Sequence, residues 1–402
     1  MHTPHTVAVL GLGRMGGAIA TRLAARAAHD QHTPLVPHTP HDLDVIGWTR
    51  SGRRAPGPVR TAADPGAAVA AADLVLLALF DGPACEQVLD DIRGSLRPGT
   101  LVLNTSTIAP AEAEALSRRF GPSYVHAPVL GSVPAAAAGT LRFLAAADPQ
   151  ALDRARPVLD ALGTVLRVDD ASTAAALKLI ANQGLAGAVL ALRDALRQAD
   201  ALGLPRDQVL DVLELGPLGG LVARKRAFLD DRPGAAAPPA EFTIEALAKD
   251  LRLLADASGT PLRSAPGLTG AAAPGADITA AATAPAVEDA VLEPLRAYVR
   301  GHATGDPAHF RDAFLPTAHI EGVRDGAFTS WPLDVYCALF DGRPAPDEPA
   351  RSRRVDAVDV HGTVATATMT LRHGPDTFTD VFLLARTGTG WRIANKAYHR
   401  HA

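Results

Sequence analysis

The chain has 402 residues, of which 47% are hydrophobic and 20% are charged, and its formal net charge is −4. This length is typical of two or three domains, and the slight negative charge argues against nucleic acid or an anionic membrane as a partner. The two cysteines, Cys85 and Cys337, and a start without a basic region before an apolar core predict a cytoplasmic protein without disulfides or a signal peptide.

Short apolar runs alternate with helical patterns from residue 6 to about residue 168. The runs that predict strands are residues 7–10, 44–48, 74–79, 101–103, 124–127, 141–145 and 165–168. This alternation indicates βαβ units, so we predict an α/β domain with a mainly parallel, doubly wound sheet over residues 1–168. The longest uninterrupted apolar run, residues 74–80, has the length of a buried strand and is too short to cross a membrane.

A polar, turn-rich stretch separates the first predicted helix from the second strand. We interpret residues 29–42 as a surface insertion. Its histidines lack the spacing of metal ligands, so we predict no metal site; they are His29, His32, His38 and His41.

Beyond residue 168 the pattern becomes helical and rich in Ala and Leu. We predict an all-helical domain over residues 169–278, with helices at residues 172–204, 206–215, 219–229 and 243–258. Ala, Pro, Gly and Thr then dominate, and we place a linker at residues 279–286. From Val287 a helix precedes four runs that alternate apolar and polar residues, which predicts a separate α+β domain with a curled antiparallel sheet over residues 287–402.

The segment GLGRMG follows the first apolar run and opens the first predicted helix. Gly11 permits a tight turn, Gly13 lets the backbone approach a pyrophosphate, and Gly16 allows close packing of helix and strand. An ordinary glycine turn is the alternative, but the strand before the motif and the helix after it favour a Rossmann dinucleotide site. The intervening Leu12, Arg14 and Met15 belong to the predicted site.

The choice of cofactor depends on the residues after the second strand. This strand ends GWTRSGRR, with Arg50, Arg53 and Arg54 and without a carboxylate. An acid there would bind the ribose of NAD, whereas arginine suits the 2′-phosphate of NADP, so we predict NADP. A solvated basic loop is the alternative. The residues assigned to the cofactor also include Thr49, Arg50, Ser51, Leu79 and Phe80.

Two later segments predict the substrate site. Leu130, Gly131 and Ser132 follow a predicted strand, where open α/β sheets bind ligands, and their backbone N–H groups could bind a carboxylate. Lys178 and Asn182 are four positions apart and share one helix face. A lysine whose charged end only reaches water is the alternative. If Lys178 is desolvated, its pKa falls and it can exchange a proton near neutral pH.

The segments GLGRMG, STIAP (residues 106–110), APVLGSVPAAAAGTL (127–141) and KLIAN (178–182) resemble the β-hydroxyacid dehydrogenase family, relatives of 3-hydroxyisobutyrate and 6-phosphogluconate dehydrogenases. The resemblance covers about residues 5–283. It implies a Rossmann domain, a helical dimerising domain and interconversion of a 3-hydroxyacid with its carbonyl compound.

The resemblance also implies roles for individual residues. Lys178 would be the catalytic acid and base, and Asn182 would orient the substrate. Ser106 and Thr107 would approach the nicotinamide ribose, and Lys249 would reach the cofactor or substrate from the helical domain. The chain departs from the family at Leu130, where a serine is usual, and at Ser172 and Ala174, where glycines are usual. Imine reductases, which have a similar fold, therefore remain an alternative, although they generally lack this lysine.

Residues 287–402 resemble the nuclear-transport-factor-2-like cone fold, particularly its lumazine-binding-like branch. The segments that carry the resemblance are YVRGHATGD (298–306), FTD (378–380) and GWRIANK (390–396). Such cones enclose an apolar pocket, and the fold alone does not decide its use. His309, His319, Asp380 and His399 are candidate pocket groups, although solvated or structural roles are favoured for each.

These observations predict an NADP-dependent oxidoreductase that acts on a small molecule, with Lys178 as proton donor or acceptor. Imine or ketone reduction is one alternative. A ligand-sensing protein that uses the cone pocket and has lost turnover is another. The apolar segment from Ala174 to Leu204 needs a partner surface, which predicts a homodimer.

Overall fold

The computed structural model describes residues 4–29, 43–230, 238–262, 268, 272–283, 289–324 and 326–401. The chain forms two compact units, residues 1–283 and 284–402. His32, His38 and His41 of the predicted insertion lie outside the described residues, as do the last three residues of the predicted linker.

A largely parallel sheet forms the centre of the first unit. Its strands are β1 (Thr6–Leu10), β2 (Asp44–Trp48), β3 (Arg60–Thr61), β4 (Leu74–Leu77), β5 (Leu101–Asn104), β6 (Tyr124–His126), β7 (Val129–Leu130), β8 (Leu141–Ala147) and β9 (Gly163–Arg167). The first six are parallel neighbours in the order β3-β2-β1-β4-β5-β6. β8 is antiparallel to β6 and β7 and parallel to β9. The strand order reverses between β1 and β4, which confirms the predicted doubly wound Rossmann sheet.

Helices cover both faces of this sheet because its strands are apolar on both sides. Val7 and Val9 of β1 pack with Ile19 on one face, whereas Ala8 and Leu10 pack with Val88 on the other. Such continuous apolar strands are expected of a parallel sheet buried between two helical layers. The helices associated with the sheet are α1 (Arg14–His29), α2 (Pro65–Val69), α3 (Gly82–Ile92), α4 (Pro110–Phe120), α5 (Val133–Ala138) and α6 (Pro149–Leu162).

A 31-residue helix, α7 (Ala171–Ala201), leads into the helical part of the unit. Its first turn is capped by Asp170, whose carboxylate accepts a hydrogen bond from the backbone N–H of Thr173 at 2.7 Å. By length and composition alone α7 could cross a membrane. In this structure it packs against the sheet and against other helices of the same unit, and its buried side chains recur along its whole length. Among the described residues, the helical part also contains α8 (Arg206–Glu214), α9 (Gly219–Leu229) and α10 (Ile244–Ser258).

A short 3-10 helix, Ile278–Ala281, closes the first unit. Asp277 caps it by accepting hydrogen bonds from the backbone N–H and the hydroxyl of Thr279. The same carboxylate accepts a hydrogen bond from Lys225 Nζ at 2.9 Å. The predicted linker start at Thr279 was therefore too early, because residues 279–283 belong to the packed unit. Composition alone did not reveal that Asp277 anchors this segment.

In the residues that the structure describes, the second unit contains a six-stranded sheet and three α-helices. Its helices are α11 (Asp289–Thr304), α12 (Pro307–Ala313) and α13 (Leu333–Cys337), and its strands are β10 (His319–Arg324), β11 (Ala327–Pro332), β12 (Ser352–His361), β13 (Val364–His373), β14 (Asp376–Thr387) and β15 (Gly390–His401). The strand order is β11-β10-β15-β14-β13-β12, and the β10–β15 pair is parallel while the others are antiparallel. The four predicted strands are β12 to β15, whereas β10 and β11 were not predicted.

A buried ion pair lies inside the second unit. Lys396 Nζ is 2.7 Å from a carboxylate oxygen of Asp380 and donates a hydrogen bond to the hydroxyl of Tyr298 at 2.6 Å. The Tyr298 hydroxyl in turn donates to Asp380 at 2.7 Å. Burial lowers the pKa of Lys396, although the neighbouring Asp380 acts against this shift. Of the four predicted pocket groups in this unit only Asp380 is fully buried, and His319 and His399 are exposed.

Candidate active site

The glycine turn after β1 has the shape that a dinucleotide requires. Gly11 has a φ of 98°, and a Cβ there would lie 2.4 Å from the backbone oxygen of Ala78. A Cβ on Gly16 would lie 1.8 Å from the backbone oxygen of Gly11, so helix α1 can approach the turn only with glycine at this position. Gly13 faces open space instead, where a phosphate group can approach the backbone.

A cavity of about 1170 Å³ extends from this turn to helices α7 and α10. Thirteen of the predicted site residues border it: Gly13, Arg14, Met15, Leu79, Phe80, Ser106, Thr107, Leu130, Gly131, Ser132, Lys178, Asn182 and Lys249. The other six are Gly11, Leu12, Gly16, Thr49, Arg50 and Ser51. The three from the glycine turn shape its backbone, and the three that follow β2 lie outside the cavity lining.

Arg53 is the arginine of the β2 loop that borders the cavity. Its guanidinium donates a hydrogen bond to the backbone oxygen of Leu12 at 2.7 Å, which places its charge beside the glycine turn. Arg50 is exposed in the turn directly after β2. The sequence-based assignment named Arg50 for the cofactor, whereas Arg53 is the arginine of this loop that borders the cavity.

The two predicted catalytic residues are in direct contact inside the cavity. Lys178 Nζ donates a hydrogen bond to the side-chain oxygen of Asn182 at 3.0 Å. The Asn182 amide nitrogen donates to a carboxylate oxygen of Asp250 at 2.5 Å. Asp250 forms an ion pair with Lys249 at 2.6 Å, and Lys249 also donates to the backbone oxygen of Thr107 at 2.7 Å. This chain of contacts fixes Lys178 through residues of α7, α10 and the segment after β5.

Burial lowers the pKa of Lys178 from 10.5 to about 8. The loss of water around the ammonium group is the main cause, Asp250 acts against it, and Lys249 adds to it. A lysine with this pKa can donate or accept a proton near neutral pH, which a solvated lysine cannot do efficiently. The alternative of a lysine that merely reaches water does not fit a side chain that is 8% exposed.

Asp250 and Glu241 are two of the charged groups at the site that were not predicted from the sequence. Asp250 directly follows Lys249, and a carboxylate beside a candidate lysine was the signal that could have identified it. Glu241 borders the cavity, accepts a hydrogen bond from Ser132 Oγ at 3.2 Å and forms an ion pair with Lys225 at 2.9 Å. No local sequence pattern indicated Glu241, because its partners are 16 and 109 positions away.

The close approach at Gly16 gives a direct test of the dinucleotide site. Gly16→Ala forces the turn apart, at an expected cost of about 1–3 kcal/mol, so affinity for NADPH should fall roughly 5- to 150-fold. The matched control is Gly17→Ala, because a Cβ at Gly17 would lie 3.7 Å from its nearest neighbour, the backbone oxygen of Leu12. Fluorescence titration with NADPH measures both variants. Equal affinities for Gly16→Ala and Gly17→Ala would contradict the assignment of the turn.

Comparison with known proteins also supports a dinucleotide-binding site in the first unit. Residues 6–173 match the family model described as the NAD binding domain of 6-phosphogluconate dehydrogenase, and residues 286–399 match the model described as putative lumazine-binding. A probable 3-hydroxyisobutyrate dehydrogenase from Mycobacterium bovis is 32% identical over 276 residues, which cover 65% of this chain and 88% of the relative. An NAD-dependent L-serine dehydrogenase from Pseudomonas aeruginosa is 31% identical over 277 residues, which cover 64% of this chain and 88% of the relative.

A solved structure has the same fold over the same part of the chain. The 3-hydroxyisobutyrate dehydrogenase of Mycobacterium tuberculosis, solved with L-serine, aligns with a TM-score of 0.54 at 27% identity and covers 70% of this chain and 99% of its own. The glycine turn, the buried lysine and these relatives agree with one another. The chain therefore belongs to the β-hydroxyacid dehydrogenase family, nicotinamide-dependent enzymes related to 3-hydroxyisobutyrate dehydrogenase, with a lumazine-binding-like domain joined to its C-terminal side.

Proposed function

We propose that this enzyme interconverts a 3-hydroxyacid, or a related alcohol, with its carbonyl compound in the presence of NADP, and that Lys178 moves the proton. The observation that carries the proposal is the position of Lys178, which borders the same cavity as the glycine turn, is buried, and has a pKa of about 8. When bound in this cavity, the nicotinamide supplies the hydride chemistry.

The residues around Lys178 leave part of its ammonium group for the substrate. A protonated lysine has three N–H donors, and one of them is directed at Asn182. The others can reach the oxygen of a substrate in the cavity. Asp250 holds the Asn182 amide from the opposite side, so the direction of the Lys178 side chain is set before substrate binds. In oxidation the neutral amine accepts the hydroxyl proton, and in reduction the ammonium group returns it.

The substrate class is tested by a screen that follows NADPH absorbance. The screen should include 3-hydroxyisobutyrate and L-serine, because these compounds appear in the names of the relatives, together with simple ketones and imines. Activity with a hydroxyacid supports the proposal. Activity confined to imines would support the alternative reaction of an imine reductase.

On the best substrate of that screen, Lys178→Met should lower kcat by about 10²–10⁴ and leave the affinity for NADPH nearly unchanged. Lys178→Arg should not rescue activity, because a guanidinium group does not release its proton in this pH range. Near-normal turnover by either variant would contradict the role of Lys178.

The pKa of Lys178 also fixes the sign of the pH dependence. Oxidation requires the neutral amine, so kcat/KM for oxidation should rise with pH and level off above about 8. Reduction requires the ammonium form and should decline over the same range. This titration should be missing from the residual activity of Lys178→Met.

The basic loop after β2 supports NADP as the cofactor. Arg53 borders the cavity beside the glycine turn. Arg50, which precedes Arg53 in the chain, is exposed. The segment 49–54 contains no carboxylate. A charge-assisted hydrogen bond to the 2′-phosphate contributes about 1.5–3 kcal/mol, so NADPH should bind roughly 10- to 150-fold more tightly than NADH.

Arg50→Asp and Arg53→Asp separate the contributions of the two arginines to this preference. We expect each to reduce it, and the exposed Arg54 provides the control variant Arg54→Asp. Titration of each protein with both cofactors measures the ratio. Equal affinities of the unmodified protein for NADPH and NADH would contradict the choice of NADP.

Exposed apolar side chains support a homodimer. Leu177 and Ile180 on α7 are 40% and 55% exposed, and Leu215 just after α8 is 90% exposed. Such residues on one unit suit a partner surface, and two-fold dimers are the commonest solution. We expect light scattering of the full chain to give the mass of a dimer and Leu177→Glu/Ile180→Glu to shift it toward the monomer. A monomeric mass for the unmodified chain at micromolar concentration would contradict this.

A further inference from the structure

The predicted substrate loop has no side-chain donor left for an anionic substrate. Leu130 is apolar, Gly131 has no side chain, and the hydroxyl of Ser132 already donates to Glu241 at 3.2 Å. If the substrate is an acid, its negative charge therefore needs a partner outside this loop, in addition to any backbone N–H groups. A positively charged side chain on the cavity wall, if it is not already paired, could bind this negative charge.

Arg142 lies directly opposite this loop. β7 and β8 pair antiparallel with Leu130 facing Arg142, so the two side chains leave the same face of the sheet about 4.5–5.5 Å apart at their Cβ atoms. Both residues border the cavity. Arg142 thus stands beside the position at which this chain has replaced the usual polar residue of its family by leucine.

The alternation along β8 directs Arg142 toward the helix that carries the catalytic lysine. Leu144 and Ala146 share a face of β8 with Arg142, because they are two and four positions further along the strand. These two residues pack with Leu130 and with Ala174 of α7. Ala174 lies one helical turn before Lys178. The Arg142 side chain therefore lies on the face of the sheet that packs against α7, the helix that carries Lys178.

The two other lysines that border the cavity are already engaged. Lys225 forms ion pairs with Glu241 and Asp277, and Lys249 contacts Asp250 and the backbone of Thr107. Within the described part of the chain, the guanidinium of Arg142 has neither a hydrogen bond nor an ion pair with another side chain. Arg224 on α9 also borders the cavity, but it does not share the strand face that meets α7.

We propose that Arg142 binds the carboxylate of the hydroxyacid substrate and thereby selects acids over neutral alcohols. The assignment rests on the proposed function, since it names the recognition group for that substrate. A guanidinium group matches a carboxylate with two parallel N–H···O bonds, so it fixes both the position and the orientation of the bound acid. Lysine at this position would retain the charge and lose the paired geometry.

The test compares each acid with its methyl ester, which lacks the carboxylate charge and has the same reacting carbon. The probes are 3-hydroxyisobutyrate and L-serine with their methyl esters, and the full chain is used. Binding is measured by calorimetry on the protein loaded with NADPH, a complex that cannot oxidise an alcohol, and turnover is measured with NADP⁺. We expect the unmodified protein to prefer at least one acid over its ester by about 10- to 100-fold in both measurements.

Arg142→Met should reduce this preference to near unity, and Arg142→Lys should retain part of it. The matched control is Arg156→Met, because Arg156 is exposed on α6, pairs only weakly with Asp160, and lies outside the cavity lining. Because the preference is a ratio taken within one protein, a partial loss of folded material does not change it. The methyl ester should be turned over by Arg142→Met within about threefold of the unmodified rate, which a general disruption of the site would not allow.

The outcomes separate this assignment from the proposed function. An unchanged preference in Arg142→Met, or no preference in the unmodified protein, would overturn the role of Arg142 even if oxidation occurs. Preferential acid binding that depends on Arg142 without turnover of either acid would support the role of Arg142 and overturn the oxidation of these hydroxyacids.

Discussion

The carboxylate of Asp250 is the interaction on which the geometry of the site depends. It is 2% exposed, and it joins Asn182 of α7 to Lys249 of α10 while Lys249 contacts the backbone after β5. Three separate segments therefore meet at one buried negative charge. Removal of such a charge leaves its partners buried and unpaired, which costs about 3–5 kcal/mol. The same contacts direct Lys178, so the stability of this region and the orientation of the Lys178 side chain have a common origin.

The local parts of the site could be predicted from the sequence, whereas the parts that depend on tertiary contacts could not. Gly11, Gly13 and Gly16 act through their own backbone, and Lys178 and Asn182 meet because they are one helical turn apart. Asp250 meets Asn182 across 68 positions, and Glu241 meets Ser132 across 109. The first pair forms only because α7 packs against α10, and the second only because the loop after β7 meets the segment before α10.

The errors in the predicted fold likewise concern features that local sequence patterns do not show. The apolar runs predicted the longer strands of the first sheet, because each buried strand is apolar on both faces, but they missed the two-residue strands β3 and β7. β10 and β11 were missed: β11 is largely exposed, and neither strand has the long alternation of β12 to β15. The early linker boundary arose from an Ala-rich composition that is common to loops and to tightly packed segments. The decisive contact there is that of Asp277 with Lys225, 52 positions away.

In the proposed reaction, the lowered pKa of Lys178 makes oxidation and reduction unequal at neutral pH. Because pH 7 lies below its pKa of about 8, Lys178 is mainly protonated in the resting enzyme. Reduction thus begins from the prevailing form of the enzyme. Oxidation must first release a proton to solvent, so it is the disfavoured direction at pH 7. The buried side chain therefore stores one proton at neutral pH, and it releases this proton only as the pH rises above about 8.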